Sequence, residues 1–153
     1  MTTFENLFAE YPCTLTDASV KVAVEEILAK HFDDNNNAEV WKQCLHSIDL
    51  TTLNGEDTTE KVETMAQRVN EFEENFPGVP NVAAMCVYPS LVQTVADTLT
   101  EPIGIAAVAA GFPASQTFIE VKIAEAAMAV AAGATEIDIV ISIGKFLEGN
   151  YQE

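Results

Sequence analysis

Gly133-Ala134-Thr135-Glu136-Ile137-Asp138-Ile139-Val140-Ile141-Ser142-Ile143-Gly144 is the stretch on which the fold turns. It reads as a completely buried strand, an apolar run closed at each end by glycine. Within that run stands one carboxylate to explain, Asp138. An ionised carboxylate is almost never fully buried without a partner, because desolvation costs several kcal/mol or displaces the pKa upward. Asp138 is therefore expected to meet a cation or to do chemistry. The plainer alternative is a structural aspartate that bonds nearby backbone or faces solvent.

Working outward from that strand, the chain alternates strand-like and helix-like segments back to His46. A helix from about Thr117 to Ala132 precedes it and stops at Gly133. Before that helix lie a third strand, Ile103 to Ala109, and the loop Ala110-Gly111-Phe112-Pro113-Ala114-Ser115. Val82 to Tyr88 is a second strand, and Pro89-Ser90 opens a helix on which Leu91, Val95 and Leu99 align. Ser47 to Leu53 is the first strand with its loop, and it carries a second buried-looking acid, Asp49. Asn54-Gly55 makes a turn. Asp57 or Thr58 then caps a helix through about Phe72, with Val62, Met65, Ala66, Val69 and Phe72 on its apolar face, and Pro77-Gly78-Val79-Pro80 stops it. Uninterrupted apolar strands separated by amphipathic helices indicate an α/β fold of parallel strands, covered on their faces and joined by right-handed crossovers.

Residues 1–45 look different and read as a helical N-terminal extension. Thr16 caps a helix whose Val20, Val24, Ile27 and Leu28 form one stripe, ending near Lys30 and His31. Asp33-Asp34-Asn35-Asn36-Asn37 breaks the pattern, and a short helix from about Ala38 to Leu45 would turn Val40, Trp41 and Leu45 inward. Asp33-x-Asn35-x-Asn37 matches the opening of a calcium-binding EF-hand loop, but the loop's glycine falls at Ala38 and its bidentate glutamate at Cys44, so the match fails.

The 153 residues, 48% hydrophobic and 20% charged, suffice for one domain with a sizeable core. Lys+Arg 7 against Asp+Glu 24 leaves a net charge of −17, which argues against nucleic acid or an anionic membrane as partner and favours solubility. Cys13, Cys44 and Cys86 have no metal-like spacing, and no basic-plus-apolar signal opens the chain, so reduced thiols and a cytoplasmic location are expected. No apolar run is long enough to span a membrane. Neither a dinucleotide-binding glycine motif nor a phosphate-binding Gly-Lys-Ser/Thr loop is present, and His31 and His46 are too isolated for a metal site or a triad. No metal and no cofactor are expected.

What remains is positional: Asp49 or Thr51 at strand one, Cys86 on strand two, Gly111-Phe112-Pro113 after strand three, Asp138 on strand four. In parallel α/β folds chemistry gathers at the carboxyl ends of strands. These residues resemble the deoxyribose-phosphate aldolase family. Asp49-Leu50-Thr51-Thr52-Leu53-Asn54 is similar to that family's first-strand signature, and Glu60-Lys61-Val62 continues the likeness. Cys86-Val87-Tyr88-Pro89 resembles its second strand, Val108 to Pro113 its third, and Gly133 to Val140 its fourth, with Gly149-Asn150-Tyr151 beyond. The pieces are individually of moderate specificity; their order and spacing, from His46 to Glu153, make the resemblance strong.

The resemblance implies a TIM (β/α)8 barrel that reversibly cleaves 2-deoxyribose 5-phosphate to glyceraldehyde 3-phosphate and acetaldehyde without metal, through a lysine Schiff base. It puts Asp138 where the family keeps the carboxylate that assists proton transfer alongside a second lysine. A carboxylate paired with an ammonium stays ionised in a buried site, and the pairing poises both groups for acid–base work. Thr51 and Cys86 match positions lining the substrate pocket, and Asp49 is grouped with them as substrate-binding; for Cys86 the plainer role is a small buried hydrophobe.

A complete barrel of this kind needs ~250 residues. The family's Schiff-base lysine lies on strand six and its second lysine on strand seven, and Lys145 matches neither position. Barrels of this type form their phosphate site after strands seven and eight. The expectation is thus an N-terminal half: residues 46–153 as a partial barrel of strands one to four, inactive alone, that meets its phosphorylated sugar, as a homo-oligomer, only in the complete enzyme. An alternative is a non-catalytic half-barrel that self-associates through its open edge strands, and a third is another barrel enzyme sharing only the βα pattern. Without the strand lysines, Asp138 should be exposed or should borrow Lys145 or backbone amides as donors.

Overall fold

A computed structural model describes residues 3–152. The chain divides into two compact units, one through Trp41 and one from Lys42 onward. In the first, α1 (Thr3–Glu10) is followed by α2 (Asp17–Asn35). Thr16 Oγ1 accepts from the Ser19 amide at 3.2 Å and Ser19 Oγ accepts from the Thr16 amide at 2.9 Å, a reciprocal cap that satisfies two donors at the helix start.

The acid-amide run does not end α2 at Lys30–His31, as its composition suggested. Asn35 Nδ2 bonds back to the His31 carbonyl at 2.9 Å, so the helix continues to Asn35. Asn37 Nδ2 donates to the Asp34 carbonyl at 2.8 Å, and its Oδ1 accepts from the amides of Glu39 (3.1 Å) and Val40 (3.2 Å), opening α3 (Ala38–His46). These side chains therefore serve as helix caps. The expected inward turn of Val40, Trp41 and Leu45 is met only in part. The α2 stripe lies open, with Val20 44% and Ile27 59% exposed, and Trp41 is 59% exposed while Val40 and Leu45 are half-buried. An apolar stripe is covered only where another element packs on it, and among the described residues of that unit none buries this one.

The second unit is a parallel sheet in the order β1-β2-β3-β4, made of β1 (Asp49–Thr51), β2 (Ala84–Val87), β3 (Gly104–Ala109) and β4 (Glu136–Ile139). Between the strands run α4 (Thr59–Asn70) with the short α5 (Phe72–Asn75), then a 3-10 turn (Pro89–Leu91) leading into α6 (Val92–Thr98), then α7 (Ile119–Ala131). A last helix, α8 (Ile143–Leu147), follows β4. Thr58 caps α4 by accepting from the Lys61 amide at 3.2 Å, and Gly133, at φ +112°, turns the chain out of α7 in a conformation that costs glycine least.

The main core lies between sheet and helices. Met85, Val87, Ile105 and Ala107 pack there against Val62, Ala66 and Val69 of α4, Val92 and Val95 of α6, and Ala129 of α7. The opposite face carries a smaller buried patch, Ala84, Cys86, Ala106 and Val108, edged by Leu53, Tyr88 and Phe112. One face is thus covered by helices and the other only by loop side chains. The strand that looked fully buried is not: in β4 only Ile137 is half-buried, and Glu136, Asp138 and Ile139 are exposed. The cause is position. β4 is an outermost strand with one hydrogen-bonded neighbour, and its apolar content presupposes a cover that the described residues do not supply.

Candidate active face

Side chains alternate along a strand, so residues flanking the core positions Leu50, Met85, Ile105 and Ile137 point away from the helices. Those residues are Asp49 and Thr51, Ala84 and Cys86, Ala106 and Val108, Glu136 and Asp138. The register sets them in rows. Thr51 pairs with Cys86, Cys86 with Ala106, and Ala106 with Glu136, a continuous row across four strands. Asp49, Ala84 and Gly104 form the row below, and Val108 and Asp138 lie in the row above, toward the carboxyl ends. All four residues singled out from the sequence share this face. Thr51 and Cys86 are direct neighbours, whereas Asp138 stands two strands from Cys86 and one row higher.

Glu136 belongs to the same face and was passed over. Its spacing of two residues from Asp138 was the available signal, since on a strand that spacing keeps two side chains on one side. Its carboxylate lies across Gly104: a Cβ there would collide with Glu136 Oε1 and come within 3.0 Å of Ala84 Cβ.

Three carboxylates therefore face outward together, and none of them takes part in an ion pair or a hydrogen bond among the described residues. Asp138 is exposed and borrows neither Lys145, which lies 3.5 Å from Glu148, nor a backbone amide. Cys86 registers the field. Burial pushes its thiol up, the neighbouring Thr51 side chain opposes that, and Asp138, Asp49 and Glu136 push it further up. A protonated, buried thiol is a poor nucleophile, so Cys86 acts here as shape rather than as reagent. Among the described residues the face offers acid–base groups and hydrogen-bonding oxygens, but no amine.

Two loops frame it. After β1, Asp57 Oδ2 accepts from the Thr52 hydroxyl at 2.8 Å and from the Asn54 amide at 2.9 Å, while Oδ1 meets Lys61 Nζ; the side chain is 1% exposed. Lys61 first, then these hydrogen bonds, holds the carboxyl well below the usual carboxylate range against the opposing effect of burial. A depressed folded-state pKa contributes stability that is present above the unfolded value, about 3.9 for aspartate, and is lost as pH falls toward the folded one. Acid titration followed by circular dichroism should therefore show a stability loss beginning below about pH 4 whose slope is shallower in Asp57→Asn. An identical slope in the two proteins would remove Asp57 from that role. After β3, Ala110 (φ 64°) and Gly111 (φ 72°) turn left-handed in succession, and the Gly111 amide donates to Glu125 Oε2 of α7 at 2.8 Å. This bend brings Phe112 onto the Cys86–Val108 patch.

Among the described residues no three His, Cys, Asp or Glu side chains gather to hold a metal, and no helix is long and apolar enough to cross a membrane.

A family model described as DeoC/LacD family aldolase matches residues 44–152. The chain is 37% identical over 116 residues to the deoxyribose-phosphate aldolase of Homo sapiens, an alignment covering 69% of this chain and 36% of that protein. Among solved structures it is similar to the deoxyribose phosphate aldolase of Aeropyrum pernix, described as a unique tetrameric structure, with a TM-score of 0.58 and 24% identity over 72% of this chain and 44% of that one. It is also similar to QR15, described as an aldolase, with a TM-score of 0.61 and 25% identity over 71% of this chain and 44% of that one. The chain spans less than half the length of these relatives.

Proposed function

The chain belongs to the DeoC/LacD family of aldolases, and from that premise we propose that its second unit is the strand-one-to-four half of a deoxyribose-phosphate aldolase. The fold is that of four consecutive βα units of a (β/α)8 barrel. The whole enzyme's reaction in this reading is the reversible cleavage of 2-deoxy-D-ribose 5-phosphate to D-glyceraldehyde 3-phosphate and acetaldehyde. The observation that supports it most is the placement of Asp49, Thr51, Cys86 and Asp138 on the one sheet face that the helices leave to loop side chains, inside the matched span.

Cleavage of this kind asks three things of a protein: an amine to form an imine with the substrate aldehyde, a group to move the proton of the hydroxyl beside the breaking carbon–carbon bond, and hydrogen-bonding partners for the remaining hydroxyls. Asp138 answers the second, and Asp49 and Thr51 answer the third, with Cys86 as floor. The amine comes from the strands that close the barrel, and its ammonium form neutralises the carboxylates now facing nothing. The half-barrel alone is then inactive. Three unpaired cysteines, two of them exposed, support a reducing, cytoplasmic setting.

Borohydride trapping with substrate, read by mass spectrometry, should leave the isolated chain unmodified, and mixing in strands five to eight of a full-length relative should restore both adduct and turnover. An adduct on any lysine of the isolated chain would contradict the reading. A second reading, a half-barrel that persists by self-association, draws on Ile139 (63% exposed), Ile141 (60%) and Leu147 (78%) along the outermost strand and beyond it. A compact monomer at micromolar concentration in size exclusion would count against it.

A further inference from the structure

Lys122, in the first turn of α7, is 6% exposed, and its Nζ donates to Ser142 Oγ at 2.5 Å. Among the described residues no carboxylate pairs with it. A buried ammonium whose one partner is a neutral hydroxyl lacks a counter-charge, which is a costly condition. The hydroxyl it touches opens onto a cavity of about 640 Å³ lined by Ser115, Gln116, Thr117, Ser142 and Gly144. Because Ser142 Oγ accepts from Lys122, its own O–H remains to donate into that cavity, polarised by the charge behind it. The Gln116 amide and Thr117 hydroxyl take no other hydrogen bond among the described residues, and Gln116 Nε2 sits 3.3 Å from where a Cβ on Gly144 would be. Ser115 Oγ donates to the Val140 carbonyl at 3.0 Å and braces the wall.

We propose that this cavity binds a small oxyanion of the phosphate class, held by Ser142, Gln116 and Thr117 and charge-balanced by Lys122. Glu120, Lys145 and Glu148 also line the cavity, with Lys145 Nζ 3.5 Å from Glu148 Oε2. The site is built at the ends of β3 and β4 from this chain's own residues, and it does not rest on the aldolase reading. It takes free phosphate or the phosphate end of an ester.

The test is an amide NMR titration of the full chain with inorganic phosphate, ionic strength held constant with chloride, and in parallel with glycerol 3-phosphate. Saturable shifts centred on Gln116, Thr117 and Ser142 are expected, lost in Lys122→Met and weakened roughly tenfold in Ser142→Ala, the size of one charge-assisted hydrogen bond. Saturation by either compound supports the site, and the tighter one names the source. Should Lys122→Met fail to fold, Gln116→Ala carries the comparison, since Gln116 is exposed and its side chain bonds nothing else among the described residues; an affinity unchanged in Gln116→Ala would equally overturn the proposal. No saturation, the same shifts with chloride alone, or affinity unchanged in Ser142→Ala would overturn the proposal.

Discussion

Asp138→Asn, in the chain completed by strands five to eight, should lower the rate of deoxyribose 5-phosphate cleavage by roughly 10²- to 10⁴-fold, the range for removing a positioned acid–base group. The same substitution should leave thermal unfolding of the isolated chain unchanged. Asp138 is exposed and without a partner among the described residues, so neutralising it breaks no bond there. A rate loss without a stability loss separates chemistry from folding. Glu136→Gln is the matched control, one row lower on the same strand and face. If it lost as much activity as Asp138→Asn, the proton-handling role would belong to the acidic face as a whole. If Asp138→Asn kept most of its activity, the role assigned to Asp138 would be wrong.

How far the sequence could be read depended on whether the partners of each segment lie within the described residues. The middle strands were legible because Met85 and Ile105 pack on α4 and α6, whose apolar spacing is visible in the same stretch. Thr58 and Thr16 were legible as caps because a cap needs only its own first turn. The burial of β4 and of Trp41 was misjudged, because burial is a property of neighbours and an apolar pattern states only a capacity for it. The site followed the same division. A period of two suffices to set Asp49 and Thr51 on one face, while their meeting with Cys86 and Asp138 depends on register, which the sequence leaves open. Lys122 gave no signal at all: a lysine on an apolar helix reads as a surface residue, and its burial depends on Ser142, twenty residues further along the chain.

The largest stability effect should come from Met85→Ala. Met85 lies on a central strand, is fully buried, and sits where α4 and α6 close over the sheet. Truncating such a side chain removes its transfer energy and leaves a cavity that packed helices collapse into only in part, a cost of about 2–5 kcal/mol. A domain of this size holds about 5–15 kcal/mol in all, and a sheet with one face covered only by loop side chains belongs at the low end, so the variant should be substantially unfolded at room temperature. Val108→Ala provides the contrast. Val108 is 1% exposed, but its neighbours on the opposite face are Leu53, Tyr88 and Phe112 from loops and strand ends, which can settle into the space. Urea unfolding midpoints should therefore drop much further for Met85→Ala than for Val108→Ala. Equal drops would mean that the face presented to substrate is as firmly packed as the face against the helices, and that the half-barrel is closed by contacts of its own.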